Sequence, residues 1–277
     1  MASRNSTRLG LTCLIGLLSG LGVRAQEADE RALRTLWELH REALTNQPAQ
    51  VAVIVACSRF ETNHPASPWL PVCRGLAAWH ALQGGDPGAA AGPLNALAAA
   101  HGSDPLSQAG VAMAQRWLTR LDRERLRTAL QAYYRVHVRF PDTLDALAPP
   151  ANAVPLPLKD RFDKPWAYEL GRFQRVRGLV GQRYTLASPT LGATSDLAQA
   201  LARTYGAAVL EPVEVTAAGE GKSAVRFKTV GPAPKDVVLT EGTDYNGLTL
   251  ARVGATLLAL SDGDSWWLLP RPAGGRD

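Results

Sequence analysis

The sequence has 277 residues, with 30 lysines and arginines against 25 acidic residues and a formal net charge of +5. Three of the arginines precede residue 26, and a chain without them (30 less 3 basic residues) has 27 basic and 25 acidic residues, a net charge of +2. This near balance argues against a strongly basic nucleic-acid-binding protein, and the length suffices for about two or three small domains.

Residues 1–25 have the three-part pattern of a secretory signal peptide. A positive start is followed by an apolar run from Leu9 to Leu21, and residues 23–25 (Val-Arg-Ala) place small side chains where signal peptidase cleaves. The alternative is a membrane anchor, but a spanning helix needs about 20 apolar residues. We therefore predict cleavage after Ala25, a periplasmic or secreted protein, and no stable membrane span in the mature chain.

Residues 27–121 show the apolar spacing of helices separated by short polar turns rich in Pro and Gly. The predicted helices are Glu30 to Thr45, Val51 to Phe60, Trp69 to Leu82, Ala89 to Ala100 and Leu106 to Leu121. Helices of this length joined by such turns are typical of stacked helix pairs.

Two cysteines remain in the mature chain, Cys57 and Cys73. They lie on two predicted helices at similar distances from the turn that joins them, so an antiparallel hairpin places them side by side. An even pair in an oxidising compartment indicates a disulfide, which would stabilise the fold by about 3 kcal/mol. The alternative is a pair of reduced cysteines in the core.

Part of this helical region resembles the tetratricopeptide repeats of bacterial envelope proteins. The segment from Phe60 to Pro68 is similar to the phrase that ends one repeat and begins the next, and Asp104-Pro105 resembles a second boundary. The small packing positions and the turn within a repeat are matched by Gly75, Ala78, Gly85-Asp86 and Ala90. The resemblance implies a protein-binding surface. The alternative is a helical bundle that packs only on its neighbours.

A second region, residues 122–205, is predicted to begin with a helix capped by Asp122 and to continue into short strands. An ordered set of motifs here resembles the C-terminal domain of the type II secretion major pseudopilin family (protein G). The residues that carry the resemblance are Phe140, Pro141, Asp160, Pro165, Trp166, Tyr168 and Ser188. The resemblance implies a helix packed on a small antiparallel sheet, in which the proline fixes a turn and the aromatic residues cover the sheet.

Two departures from that family bear on function. No prepilin cleavage site with a long apolar helix precedes Asp122, so we do not expect this chain to polymerise as a pseudopilin does. The family also binds calcium after its serine strand, but here only Ser195 and Asp196 offer oxygen ligands. Calcium prefers six to eight oxygens, and we therefore predict no metal site.

The last region, residues 206–277, alternates apolar and polar residues around turn signals such as Asn246-Gly247, and predicts a small all-β domain. The phrases Glu241 to Leu248 and Leu260 to Gly263 resemble the β-domain of secretion protein C and pilus protein P, which docks on a secretin's periplasmic modules. Trp266 and Trp267 point to opposite faces of one strand, so at most one belongs to a core and the other is a possible contact surface.

The sequence gives little indication of catalysis. None of the usual serine-elbow, phosphate-loop or paired-cysteine motifs occurs, and the histidines lack the spacing of a metal site. They are His40, His64, His80, His101 and His137. We therefore predict a protein that is not an enzyme and has no cofactor.

Together these regions predict an α+β multidomain protein, with a helical region, a pseudopilin-like unit and a small β-domain. The function predicted is that of an exported accessory or adaptor protein in a type II secretion or type IV pilus-like envelope system, whose partners are envelope proteins such as a secretin or pseudopilins. The alternative is a generic periplasmic protein-binding scaffold without a role in secretion.

A thiol titration tests the predicted disulfide. We expect the exported protein, denatured without reductant, to show no free thiol, because both remaining cysteines would be joined. Two reactive thiols per chain under these conditions would contradict the prediction.

Overall fold

The computed structural model of the chain describes residues 26–46, 48–147, 155–176, 179–203, 209–219 and 222–272. The predicted signal peptide lies outside these residues. The fold is α+β, as predicted, with helices in the N-terminal part and strands in the C-terminal part. None of the described helices is both long and apolar enough to cross a bilayer.

Five helices form the N-terminal layer, and each packs on the next. They are α1 (residues 26–43), α2 (Ala49–Asn63), α3 (Leu70–Gln83), α4 (Pro87–Ala98) and α5 (Pro105–His137). Asp86 and Asp104 cap α4 and α5 by accepting hydrogen bonds from Ala89 N and Ser107 N, and each is followed by a proline at the first helical position. The Asp-Pro pairs therefore set the starts of these helices, since proline there loses no hydrogen bond.

The prediction that Asp122 caps a new helix is wrong. Helix α5 continues through this position to His137. No glycine or proline interrupts its middle, and the Asp122 carboxylate is bound by Arg125 and by Arg161 from a distant loop. The carboxylate of Asp122 binds these two arginines and not a backbone N–H group, and the helix continues past it.

The C-terminal half of α5 packs on a small unit of strands. Strand β1 (Ala167–Leu170) pairs antiparallel with β4 (Tyr184–Ala187), and β2 (Gln174–Val176) pairs with β3 (Leu179–Gly181) between them. Short 3-10 helices cover Leu144–Ala146 and Gly192–Ser195, and α6 covers Leu197–Leu201. Leu126 and Leu130 of α5 share a core with Leu147, Trp166 and Leu186.

The C-terminal region forms two antiparallel sheets. The first contains β5 (Leu210–Ala217), β6 (Ser223–Thr229) and β7 (Asp236–Thr240), and the second contains β8 (Asp244–Tyr245), β9 (Leu248–Val253), β10 (Leu257–Ser261) and β11 (Trp266–Pro270). Strand β7 lies next to β8 and β11 lies next to β5, so the two sheets curve round one shared core.

The sheet of β9 to β11 is buried on both faces. Leu258 and Leu260 face the core inside the β-unit, whereas Leu257 and Ala259 face the core formed by the helices. All five residues of β10 are buried. The helices that meet this sheet are α1, α3 and α5, which are alternate helices of the stack. The chain's own C-terminal sheet therefore covers one face of the helical layer.

A close contact between Gly75 of α3 and Trp266 of β11 offers a test of this packing. A methyl group at Gly75 would lie 2.8 Å from Trp266 Cδ1 and 3.0 Å from Met113 Sδ. We expect Gly75→Ala to lower the free energy of unfolding by about 2 kcal/mol, because the fully buried indole has no room to move. Urea unfolding followed by circular dichroism measures the change.

Gly92→Ala in α4 is the matched control. A methyl group there meets no atom within 4 Å, and the gain in helix propensity is offset by the following Pro93, which disfavours a helical residue before it. We expect a change within about 0.5 kcal/mol. Equal losses for the two variants would contradict the described packing of α3 on β11.

Candidate functional site

Two residues of the pseudopilin-like motif, Asp160 and Ser188, form a buried hydrogen-bonded pair. Ser188 Oγ donates a hydrogen bond of 2.6 Å to Asp160 Oδ2. The backbone N–H groups of Phe162 and Lys164 donate to Asp160 Oδ1 at 3.0 Å and 2.9 Å. The carboxylate thus closes the turn that contains Asp163, whose φ is 60°, and ties this turn to the end of β4.

Burial alone would raise the pKa of Asp160, but the hydrogen bonds from Ser188 and from the turn N–H groups lower it below its ordinary value. The carboxylate is therefore ionised at neutral pH. The Ser188 hydroxyl donates to it and accepts from the N–H groups of Thr190 and Leu191 at 3.2 Å and 3.1 Å. A fully buried hydroxyl with these three partners holds a turn and is not available as a nucleophile.

The aromatic residues of the motif form the core around this turn. Trp166 Nε1 donates to Pro157 O at 2.8 Å, and Tyr168 Oη donates to Pro141 O at 2.8 Å. The ring of Phe140 meets that of Tyr184 edge to face, with centroids 4.6 Å apart. Pro165 forms the bridge opposite Lys159. The seven motif residues therefore lie in one small unit, where Pro165 stands in a β-bridge and the aromatic side chains contribute to the core.

The predicted contact surface at Trp266 and Trp267 is corrected for Trp266, which is buried, and stays a prediction for Trp267, which is partly exposed. Trp266 is fully buried in the core between the helices and the sheet. Trp267 is partly buried and packs against the core inside the β-unit. The two residues do point to opposite faces of β11, but both faces are covered, so Trp266 in particular offers nothing to a partner.

Cys57 and Cys73 line one small cavity between α2 and α3. In the structure they are two free thiols, so the predicted bond is not formed in it. Burial raises the pKa of Cys57 to about 12 and that of Cys73 well above its ordinary value. Little thiolate is present at neutral pH once the helices have closed, so oxidation is expected to precede closure. The disulfide stays a prediction.

A buried ionic cluster joins three parts of the chain at Asp264. Arg116 and Arg120 of α5 each bind both carboxylate oxygens of Asp264, at distances between 2.8 Å and 3.1 Å. Arg120 is fully buried, and its Nε donates to Thr194 O in the 3-10 helix before α6. Trp117 Nε1 donates to Asp264 O. The turn between β10 and β11 is thereby fixed to α5.

A second buried carboxylate, Glu30, fixes the opposite end of the same sheet. Glu30 of α1 accepts hydrogen bonds from Ala255 N at 2.9 Å and from the Thr256 hydroxyl at 2.8 Å, and Thr256 N donates to it at 2.5 Å. These donors lie in the turn between β9 and β10. Two carboxylates, one contributed by the helices and one by the sheet, therefore hold the two layers together.

Sequence reasoning missed both of these carboxylates. The local sequence around Asp264 indicates a turn, and that around Arg120 and Glu30 indicates helices, but neither pattern shows that these side chains are buried and paired. Their partners lie between 144 and 226 residues away in sequence. The residues near a charged side chain in sequence follow the same pattern whether that side chain is exposed or buried. The sequence pattern therefore did not indicate that these charges are buried.

A buried histidine pair was also missed. His40 Nδ1 and His80 Nε2 lie 2.8 Å apart, and both residues are fully buried. Burial, together with the nearby His80, lowers the pKa of His40 to about 3, and burial lowers that of His80 to about 4. Both rings are therefore neutral at pH 7 and pack among Trp37 and Trp79.

The predicted absence of a metal site stays a prediction. Asp196 caps α6 through Gln199 N and accepts a hydrogen bond of 2.9 Å from Arg123, while the Ser195 hydroxyl donates to Gly192 O. Within the described part of the chain, no group of three or more histidine, cysteine, aspartate or glutamate residues could hold a metal ion.

The helical layer also has a concave apolar surface, which lies between α1 and α2. A groove of about 550 Å³ lies between α1 and α2, lined by aliphatic side chains and Phe60, with Arg59 and His64 among its few polar residues. Val55 lines this groove and is 43 % exposed.

No protein-family model, curated protein or solved structure matches this chain.

The Asp264 cluster predicts a defined loss of stability on mutation. We expect Asp264→Asn to lower the free energy of unfolding by about 3 kcal/mol at pH 7, because the fully buried Arg120 loses its charged partner. Asp163→Asn removes an exposed carboxylate that pairs with Lys159 and should change stability by less than about 0.5 kcal/mol. Similar losses for the two variants would contradict the role given to Asp264.

The same cluster predicts a pH window. Burial alone would raise the pKa of Asp264, but the hydrogen bonds and charges of Arg116 and Arg120 lower it from 3.8 to about 2. A depressed carboxyl pKa stabilises the fold above about pH 4, and this stabilisation is lost as the pH falls towards 2. The difference between wild type and Asp264→Asn should shrink over this window. The neutral histidine pair also makes the fold less stable as the pH falls, from about 6.5 towards the folded pKa values of about 4 for His80 and about 3 for His40, equally in both proteins.

Proposed function

We propose that this protein is an exported, non-enzymatic accessory or adaptor protein of a type II secretion or type IV pilus-like envelope system. The observation that supports the proposal is the convergence of Phe140, Pro141, Asp160, Pro165, Trp166, Tyr168 and Ser188 on one helix-and-hairpin unit. A shared core of these residues, which span about fifty positions, is what the resemblance to the pseudopilin domain implies.

The proposed chemistry is binding and not catalysis. Four of the buried polar side chains, Glu30, Arg120, Asp160 and Ser188, have partners within the chain, and each bond joins two structural elements. Such groups stabilise a scaffold that presents surfaces to other proteins. Export through the predicted signal peptide would place that scaffold in the cell envelope.

A partner of this scaffold must bind outside the face that the C-terminal sheet already covers. Two exposed apolar positions mark separate free surfaces. Val230, at the end of β6, is 63 % exposed and donates its N–H to Val209 O, which is also exposed. Val55 lies in the groove between α1 and α2. The β-unit surface fits the adaptor proposal, since the domains it resembles dock on secretins.

The groove between α1 and α2 favours a second candidate, a generic periplasmic scaffold that binds proteins through its helices. Apolar grooves between helices are common sites for an amphipathic segment. This candidate needs no secretion partner.

A binding assay tests the proposal with the whole mature chain, because the β-unit shares a core with the helices and would lose it if isolated. We expect residues 26–277 to bind the purified periplasmic region of a secretin, or a pseudopilin head, from the same organism with micromolar affinity in biolayer interferometry. Val230→Glu should weaken this binding at least tenfold, since a charge would be buried at the interface.

Val55→Glu is the matched variant, with the same substitution at another exposed valine. Retention of binding by Val55→Glu and loss by Val230→Glu support docking through the β-unit. No complex at high micromolar concentration with either partner would overturn the adaptor proposal. Loss of binding to other envelope proteins only in Val55→Glu would favour the generic scaffold.

A further inference from the structure

The end of helix α5 exposes an alternation of apolar and basic residues. Val136 is 75 % exposed and Val138 is 70 % exposed, the two highest values among the exposed large hydrophobic side chains of the described chain. Arg135 and Arg139 flank them and are exposed as well. The two valines lie two positions apart, so they expose apolar surface at one place at the end of α5.

Val138 holds the helix end in a strained conformation. It is the residue after α5, and its φ of 59° lies in the left-handed region, which β-branched residues rarely adopt and where glycine is usual. Strained backbone of this kind is concentrated at functional positions. The conformation ends the helix while leaving both valine side chains in solvent.

The loop that follows β1 lies at the same end of the molecule. Phe140 N donates to Gln182 Oε1 at 3.0 Å, and Gly171 N donates to Arg183 O at 2.8 Å. These two contacts place the chain around Gly171 beside the chain around Phe140. The next residues, Arg172 and Phe173, are exposed, and Phe173 has 56 % of its surface in solvent.

Charge at this end is strongly asymmetric. The sequence from Leu170 to Ser195 contains four arginines and no acidic residue, and the nearest acidic residues along the chain are Asp142, Glu169 and Asp196. Asp196 is bound by Arg123. Among the described residues at this end, Arg135, Arg139, Arg172 and Arg183 outnumber the acidic Asp142 and Glu169.

We propose that this end of the molecule docks on the surface of a bilayer that contains anionic phospholipids. The docking surface, here termed the basic tip, consists of Arg135, Val136, Val138, Arg139, Arg172 and Phe173. Guanidinium groups bind phosphate oxygens in pairs of hydrogen bonds, and exposed aliphatic and aromatic side chains enter the headgroup region beside them. The basic tip thus combines both interactions of a peripheral membrane contact.

Exposed valines distinguish a bilayer from a soluble polyanion. A nucleic acid or an acidic polypeptide would be attracted by the arginines, but it would give isolated valines no apolar medium to enter. The proposal does not depend on the secretion role, because a scaffold or an adaptor could equally be held at a membrane surface by this end.

Cosedimentation with vesicles tests the proposal on the mature chain. We expect binding to vesicles of equal parts phosphatidylglycerol and phosphatidylcholine, and little binding to phosphatidylcholine alone. Each arginine near an anionic surface raises the partition coefficient about fivefold, so Arg135→Gln/Arg139→Gln should lower it about twenty-five-fold. Arg31→Gln/Arg41→Gln removes the same charge from exposed positions of α1 and should leave binding close to that of wild type.

A second pair of substitutions tests insertion separately from charge. Val136→Ser/Val138→Ser keeps every arginine and should lower the partition coefficient about tenfold, because two apolar side chains no longer enter the interface. Salt of about 1 M, which shortens the Debye length to about 3 Å, should weaken wild-type binding without abolishing it.

Three results would overturn the proposal. The first is equal binding to the two kinds of vesicle. The second is unchanged binding by Arg135→Gln/Arg139→Gln in a protein whose circular dichroism spectrum matches wild type. The third is unchanged binding by Val136→Ser/Val138→Ser together with full competition by heparin, which would indicate simple attraction to any polyanion.

Discussion

Burial of the β9 to β11 sheet on both faces is the constraint on which the rest of the structure depends. One face closes the β-unit and the other supplies the core of the helical layer. Neither apolar face of this sheet is exposed. The helical layer and the β-unit therefore bury their apolar side chains only by packing on each other. The carboxylates of Glu30 and Asp264 then fix the position of the layers, since each accepts hydrogen bonds only from groups that meet when the layers are in register. Apolar burial supplies the attraction and these two groups supply the alignment.

Local features were well predicted from the sequence. The Asp-Pro pairs before α4 and α5, the tight turn at Asn246-Gly247 and the α+β class all follow from interactions within a few residues. Asp160 and Ser188 were singled out from the sequence as well, but the sequence did not show that the carboxylate of Asp160 accepts hydrogen bonds both from its own turn and from Ser188.

Long-range features were not predicted, and the physical reason is the same in each case. Asp122 looks like a helix cap because its sequence neighbours allow that role, and Asp264 lies in a turn as its neighbours indicate. The ion pairs that these two carboxylates make, with Arg161 and with Arg120, depend on residues distant in sequence. Trp266 and Trp267 show the same limit, since alternation along a strand predicts two faces but not that both are covered. The pairing of His40 with His80 likewise depends on how α1 packs against α3.

The bond between Glu30 and Thr256 spans 226 residues, and this separation has a consequence for the order in which the protein is made. At a synthesis rate of about 5 to 20 residues per second, about 10 to 45 seconds pass between the emergence of α1 and that of the strands that cover it. During that interval the finished helices expose the apolar side that β10 and β11 later cover. Closure of so large a loop is also slow. A newly made chain therefore keeps this apolar side uncovered until its last strands arrive.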